Sequence, residues 1–132
     1  MKWVKQSIHY WCPDTKEQKF LGQNVTVAIL DTGISPHPDF KGRILSFRDF
    51  SNTTGSSEKV LFSFSHFSPL IDNSGHGTHV AGIIADNTPE NVKLMILKTF
   101  DDAGKSSNLA IRSALQYAVS QKADVVNMSL GW

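Results

Sequence analysis

The 132-residue sequence predicts an α/β fold, in which a mostly parallel sheet is packed against helices. Two observations lead to this prediction. In the second half of the chain, short apolar runs alternate with segments of helical periodicity, an order typical of parallel sheets. The first apolar run is also continuous rather than alternating, as expected of a strand buried on both faces. In such a fold the carboxyl ends of the strands meet at one edge, where ligand sites form.

Four apolar runs are predicted strands. Residues 25–30 (Val-Thr-Val-Ala-Ile-Leu) are too few for a helix, and the run stops at Asp31-Thr32-Gly33. The two prolines of residues 34–38 then indicate a loop. Residues 51–57 are polar and turn-like, and residues 59–70 are ambiguous between strand and helix. The other three predicted strands cover residues 43–47, 93–100 and 125–130.

Two later segments have helical patterns. Residues 76–85 place their larger apolar side chains on one side and small residues elsewhere; the larger ones are Val80, Ile83 and Ile84. Residues 108–122 have a fuller apolar stripe at i, i+3, i+4, i+7 and i+8, and Ser106 or Ser107 can cap the start of this helix. The members of the stripe are Ile111, Ala114, Leu115, Ala118 and Val119.

The beginning of the chain differs from the rest. The first twenty residues are mixed and rich in aromatic side chains, and we expect a short helix there that packs on the body of the protein. We therefore divide the chain into an N-terminal segment, residues 1–19, and one domain, residues 20–132. A single domain agrees with the length, because a chain of this size can bury a core but is too short for two domains.

Charge and composition exclude several classes of protein. The formal net charge is +1, so no basic field holds nucleic acid or an anionic membrane by charge alone. No apolar run approaches the ~20 residues that a membrane helix needs. Cys12 is the one cysteine and cannot form an internal disulfide, and residues 1–20 contain no apolar core of a signal peptide. These features favour the cytoplasm, whereas a true start upstream of Met1 would allow secretion.

Two polar stretches bear the residue types of acid–base chemistry. The first is Asp31-Thr32-Gly33-Ile34, followed by His37-Pro38-Asp39, and it places a carboxylate directly after a buried strand. Such a carboxylate can orient a histidine and stabilise its cation. The second is Gly75-His76-Gly77-Thr78-His79-Val80-Ala81-Gly82, which places His76 at the start of a helix among small residues. Taken singly, Asp31 is also explained as a loop cap and His76 as a structural histidine.

Together the two stretches resemble the aspartate and histidine motifs of the subtilisin-like serine proteases, in the family's order. Asn127-Met128-Ser129-Leu130-Gly131 resembles a third family segment, the strand that borders the main specificity pocket. The resemblance covers about residues 20–132. It implies a three-layer α/β/α fold with a mostly parallel sheet, subtilisin-like and truncated to the N-terminal half of the catalytic domain.

The resemblance also implies roles for single residues. His76 would be the general base that takes the proton of a nucleophilic serine, and Asp31 would hold His76 in the right tautomer. Thr78 and His79 would support the helix rather than react. Two main-chain edges would clasp an extended polypeptide substrate as added strands. These edges are Gly104, Lys105 and Ser106, and Ser129, Leu130 and Gly131.

One departure from the family limits this interpretation. The family's serine lies far downstream of the histidine, but only 56 residues follow His76. The nucleophile motif, Gly-Thr-Ser followed by Met and Ala, does not occur, and neither does the asparagine of the oxyanion hole. We therefore predict that this chain alone does not hydrolyse peptides. The strand at 125–130 would also lack a neighbour on one side, which predicts a marginal fold in isolation.

Several alternatives stay open at this stage. The chain is either part of a serine endopeptidase, one half of a split protease completed by a second chain that supplies the serine, a non-catalytic pseudo-protease that binds peptides, or a gene fragment without a function of its own. No cofactor is expected. Calcium is the exception to consider, because family members often bind it through the aspartate that matches Asp39. The loop of residues 86–91, which would complete that site, is short.

Two other kinds of site fit poorly. Gly104-Lys105-Ser106 matches the end of a phosphate-binding loop, but Thr99 stands where a glycine is needed and Asp101 would repel phosphate. A zinc site from Asp72, His76 and His79 lacks the glutamate of the zinc-protease helix.

Overall fold

The computed structural model describes residues 2–8, 21–51 and 72–131. Its centre is a four-stranded sheet with the strand order β2-β3-β1-β4, and every neighbouring pair is parallel. The predicted parallel sheet is thereby confirmed. Two predicted strands end two residues early, at Lys98 and at Met128. The four strands are β1 (Thr26–Asp31), β2 (Ile44–Asp49), β3 (Lys93–Lys98) and β4 (Val125–Met128).

Three α-helices and one 3-10 turn accompany the described strands. The helices are α1 (Lys2–Ser7), α2 (His76–Asp86) and α3 (Asn108–Ser120), and the 3-10 turn is Pro38–Phe40. Both helices predicted in the second half are confirmed, and Ser107 is the residue that caps α3, through the amide of Ala110. At the N-terminus, Lys5 Nζ donates to the carbonyl of Asp86 at 3.2 Å, so α1 contacts the end of α2.

Some predictions lie outside the described residues. These are the boundary between residues 19 and 20, most of the polar turn at 51–57, and the ambiguous stretch at 59–70. None of the helices in the described part of the chain has the length and apolar character of a membrane span.

The sheet is buried between two helical layers. Strands β1 and β3 direct alternate side chains to opposite faces, and both faces are apolar. One face packs with α2 through Ala81 and Ala85, and the other packs with α3 through Ala110, Ala114 and Ala118. The three-layer α/β/α architecture is therefore confirmed.

The face of α3 that meets the sheet differs from the predicted stripe. Ala110, Ala114 and Ala118 form the fully buried line, whereas Val119 is 75% exposed. Alanines allow the helix axis to lie close to the strands, and Val119 falls on the far side of the helix from Ala110. Val119 thus belongs to the apolar stripe but not to the buried line, because helical periodicity alone does not distinguish which side of a broad stripe faces the sheet.

The carboxyl ends of the strands gather at one edge of the sheet. Asp31 pairs in register with Lys98, and the amides of Thr99 and Phe100 both donate to the carbonyl of Asp31, at 2.9 and 3.2 Å. Among the described strands, β4 pairs only with β1, on one side. The exposed Val125 and Met128 lie on this edge strand.

Candidate active site

Asp31 and His76 form a hydrogen-bonded pair at the carboxyl end of β1. Asp31 Oδ1 lies 2.7 Å from His76 Nδ1 and also accepts the amide of Thr32 at 2.8 Å. The carboxylate is 3% exposed, whereas the imidazole is 54% exposed. Because a carboxylate only accepts, Nδ1 carries the proton in the neutral ring, and Nε2 is then the basic nitrogen. The arrangement presents a base whose tautomer is set by a buried anion.

A close contact between α2 and the turn after β1 brings the two side chains together. The amide of Gly77 donates to Thr32 Oγ1 at 2.9 Å. A Cβ at position 77 would collide with the carbonyl oxygen of Gly33 and would lie 3.0 Å from its amide nitrogen. Gly75, in the left-handed region at φ +86°, starts the helix. Gly77 therefore allows the backbone of α2 to pack against the turn after β1.

Asp72 lies directly behind the pair and was missed by the sequence analysis as part of this site. Its carboxylate is 5% exposed and accepts five hydrogen bonds, from the amides of Ser74, Gly75 and Thr78 and from the hydroxyls of Thr32 and Thr78. Burial by itself would raise the pKa of Asp72, but the hydrogen bonds from Thr78, Thr32 and Gly75 hold it below the ordinary value. An acceptor side chain just ahead of a helix start was the signal available in the sequence.

The five hydrogen bonds to Asp72 argue against the zinc site considered from the sequence. Both oxygens of Asp72 face hydrogen-bond donors, which a metal ligand would have to give up. No group of three or more His, Cys, Asp or Glu side chains that could hold a metal occurs within the described ranges. The hydroxyl of Thr78 donates to Asp72 and accepts the amide of Ser35, and the supporting role that the resemblance implied for it stays a prediction.

A buried lysine supports the turn after β1 from the side of β3. Lys98 is 6% exposed, and its Nζ donates to the carbonyl of Thr32 at 2.7 Å and to Asp102 Oδ1 at 3.2 Å. Asn73 Nδ2 donates to the other oxygen of Asp102 at 2.8 Å. The hydrogen bonds from Asn73 and Lys98 lower the pKa of Asp102. The segment that follows β3 is thereby tied both to the turn after β1 and to the residues ahead of α2.

The two predicted substrate edges follow the strands on either side of β1. Gly104, Lys105 and Ser106 are exposed and lie in the loop between β3 and α3. The amides of Ala103 and Lys105 donate to Asp101 Oδ1, so they are not presented as a phosphate-binding loop would present them. Ser129, Leu130 and Gly131 follow β4; Leu130 is half-buried and the other two are exposed. Substrate binding by these edges stays a prediction.

The predicted calcium ligand lies away from the pair. Asp39 is exposed, in the 3-10 turn, and its Oδ2 is 3.5 Å from His37 Nδ1. A cleft there is lined by Asp39, Asp86 and Glu90 together with Lys41 and Arg43, at the end of α2 opposite to His76. The guanidinium of Arg43 is buried in this region, where it donates to the carbonyls of Ala85, Pro89 and Val92 and to the hydroxyl of Thr88. Calcium binding at Asp39 stays a hypothesis.

Comparison with known proteins agrees with the motifs and the geometry. The model of the Subtilase family matches residues 22–132. The chain is 36% identical over 120 residues to the Major intracellular serine protease of Bacillus subtilis (strain 168), an alignment that covers 83% of this chain and 35% of that protein. It is 34% identical over 128 residues to Subtilisin E of the same strain, which covers 90% of this chain and 30% of that protein.

A third relative matches over most of the present chain. Subtilisin DY of Bacillus licheniformis is 35% identical over 140 aligned residues, covering 96% of this chain and 46% of that protein. The chain thus spans less than half of the length of each of these relatives. Because the family model covers most of the chain and its aspartate and histidine motifs meet in the structure, the chain belongs to the subtilase family.

Proposed function

We propose that the chain carries the aspartate and histidine of a serine-type endopeptidase active site. The observation that supports this most directly is the 2.7 Å contact between Asp31 and His76, which leaves Nε2 as the basic nitrogen of a half-exposed ring. In this role His76 takes the proton of a serine hydroxyl and later delivers it to the leaving amine. Asp31 holds the tautomer and stabilises the imidazolium.

The substrate in this proposal is a polypeptide in extended conformation. The segments of residues 104–106 and 129–131 follow β3 and β4, which flank the strand of Asp31. Backbone groups of these segments that are not bonded within their own loops would pair with a strand of substrate on either side. In the first segment, the amides of Gly104 and Lys105 already donate to Asp101. Main-chain contacts with a substrate bind many sequences and select side chains weakly.

We further propose that the 132-residue chain is inactive alone. No serine in the sequence stands in the family's nucleophile motif, and no matching oxyanion asparagine is present. A base without a nucleophile and without oxyanion donors provides no appreciable acceleration. The serine would come from another segment, either of a longer chain or of a second polypeptide.

The edge of β4 is the surface that we propose for this serine-bearing segment. Only one side of β4 is paired among the described strands, and Val125 and Met128 are about half exposed there. A further parallel strand would pair with the free side of β4 and cover these side chains. This would extend the sheet beyond β4, two positions from the strand of Asp31.

A complementation experiment tests these proposals together. The purified chain is mixed with a segment of a subtilase that contains the Gly-Thr-Ser-Met-Ala motif, and peptide hydrolysis and fluorophosphonate labelling are measured. We expect neither from the chain alone and both from the mixture. His76→Ala should lower hydrolysis by the mixture about 10⁶-fold. Fluorophosphonate labelling of the chain alone would contradict the proposed inactivity.

The same mixture distinguishes the second candidate function, a non-catalytic pseudo-protease that binds peptides. In that case an unlabelled mixture would still bind an extended peptide, and His76→Ala would leave the affinity unchanged. The exposed loop edges after β3 and β4 are the feature that favours this candidate.

We propose that the chemistry needs no cofactor and that residues 1–19 lie outside the peptidase domain. The proposal on residues 1–19 is supported by the family match, which begins at residue 22.

The proposal that no cofactor is needed is supported by the Asp31–His76 pair, which would act as a base without a metal. Calcium bound at Asp39 is the hypothesis that competes with it. Comparing the melting temperature of the chain in calcium with that in EDTA tests whether calcium binds. We expect equal melting temperatures, whereas a higher value in calcium would support calcium binding.

A further inference from the structure

We propose that Asp72 is a positioning residue, which sets the distance and orientation of His76 relative to Asp31 by tying the first turn of α2 to the turn after β1. The inference goes beyond the proposed function, which uses only Asp31 and His76, and it rests on that function for its catalytic meaning. Asp72 touches neither member of the pair directly. It acts through the residues next to each of them.

The first step is the division of donors between the two oxygens of Asp72. Oδ1 accepts the hydroxyl of Thr32 at 2.8 Å and the amides of Ser74 and Gly75 at 3.1 and 2.9 Å. Oδ2 accepts the amide and the hydroxyl of Thr78, at 2.9 and 2.7 Å. The donors on α2 therefore bracket His76 in sequence, with Gly75 before it and Thr78 after it.

The second step is the link to Asp31. Thr32 donates its hydroxyl to Asp72 and its amide to Asp31 Oδ1. The hydroxyl oxygen of Thr32 in turn accepts the amide of Gly77, the residue after His76. Asp72 and the bond between Gly77 and Thr32 are thus two ties between the turn after β1 and the first turn of α2, and a displacement of the Asp72 carboxylate would loosen one of them.

The third step is the requirement for a charged group. All five partners of Asp72 donate, so a carboxylate satisfies every one of them. An asparagine of the same shape would place its NH₂ group against either two or three donors. The negative charge is also favoured at the positive end of α2. The lowered pKa of Asp72 is consistent with an anion held by these donors.

The simpler alternative is that Asp72 only stabilises the start of α2. A cap of this kind would change the free energy of unfolding but not the geometry of Asp31 and His76 in the folded molecules. The distinguishing measurement must therefore report on the pair in the folded chain. The Nδ1 proton of His76, which lies in the 2.7 Å contact with Asp31, provides it.

The experiment records the imidazole proton and nitrogen resonances of His76 by NMR in the 132-residue chain and in Asp72→Asn. We expect the Nδ1 proton of the variant to shift upfield and to exchange with water about tenfold faster, the effect of weakening one hydrogen bond to a charged group. Asp124→Asn is the matched control. Asp124 accepts the amide of Thr26 at 2.8 Å, at the opposite end of β1, and its replacement should leave the signal in place.

Thr32→Val is the second variant, in case Asp72→Asn does not fold. It retains the Asp72 carboxylate and its contacts with α2 but removes the Thr32 hydroxyl, which both donates to Asp72 and accepts the amide of Gly77. We expect the same direction of change. A folded variant whose Nδ1 signal and exchange rate match those of the unchanged chain would overturn the inference. Absence of the signal from the unchanged chain would instead refute the Asp31–His76 pair, and with it the proposed function.

Discussion

The contact between Gly77 and the turn after β1 predicts that Gly77→Ala disrupts the candidate site. The added Cβ would collide with the carbonyl oxygen of Gly33 and would lie 3.0 Å from the nitrogen of Gly33 and 3.1 Å from that of Thr32. All three atoms belong to the backbone and cannot rotate away. The helix must retreat instead.

The size of the effect follows from these distances. Restoring a contact of ~3.5 Å with the nitrogen of Gly33 requires a retreat of about 0.5 Å, and clearing its carbonyl oxygen requires more. Added to the 2.7 Å between Asp31 and His76, this brings their hydrogen bond to the limit of ~3.2 Å. Alanine gains about 1 kcal/mol of helix propensity over glycine, but overpacking costs about 1–3 kcal/mol. We expect a net loss of up to about 2 kcal/mol in the free energy of unfolding.

Urea denaturation measures the loss of stability, and the His76 Nδ1 resonance reports the weakened hydrogen bond to Asp31. Gly82→Ala is the matched control, because it lies in the same helix and its Cβ would meet nothing within 4 Å. It should raise the free energy of unfolding by up to about 1 kcal/mol and leave the resonance unchanged. If Gly77→Ala is as stable as Gly82→Ala and keeps the resonance, the reasoning from the close contact is refuted.

Three further predictions concern stability, each read from urea denaturation. Ser107→Ala should cost about 1 kcal/mol because the cap on the Ala110 amide is lost; an unchanged midpoint would contradict it. Arg43→Lys should cost about 3 kcal/mol, since one ammonium cannot serve the three carbonyls and one hydroxyl that the guanidinium bonds at the end of α2; a cost below that of Ser107→Ala would oppose it. Asp72 has a lowered pKa in the folded state, so its contribution is present above the unfolded pKa of about 4 and is lost as the pH falls through the folded value. The stability difference between the unchanged chain and Asp72→Asn should therefore shrink between pH 7 and about pH 3, and a constant difference would refute the assignment.

Local pattern predicted most of the described secondary structure. The continuous apolar runs of β1 and β3 predicted buried strands, and the apolar stripe predicted α3, because both signals depend on neighbouring residues alone. The pattern did not predict that Ala110, Ala114 and Ala118 form the buried line and that Val119 is exposed. That outcome depends on how closely the helix approaches the sheet, which is a property of two packed surfaces.

The residues of the candidate site also differ in whether the sequence predicted them. Asp31 and His76 were identified from their motifs, since each motif is a short contiguous stretch with a recognisable residue pattern. Asp72 and Lys98 were not assigned to the site, although both are buried beside Thr32. The contacts that join them to the site, from Thr32 to Asp72 and from Lys98 to Thr32, link segments far apart in the chain, so local spacing does not predict them.

The sequence by itself determined the strands, the helices, the family and the two residues of the acid–base pair. Only the tertiary structure showed why residue 77 must be small, which is its contact with the backbone of Gly33. It also showed that Asp72 joins the turn after β1 to the first turn of α2. The physical reason is the range of the interactions. Periodicity and motif act between neighbours in sequence, whereas the contact of Gly77 with Gly33 and the hydrogen bond from Thr32 to Asp72 exist only after distant segments have packed together.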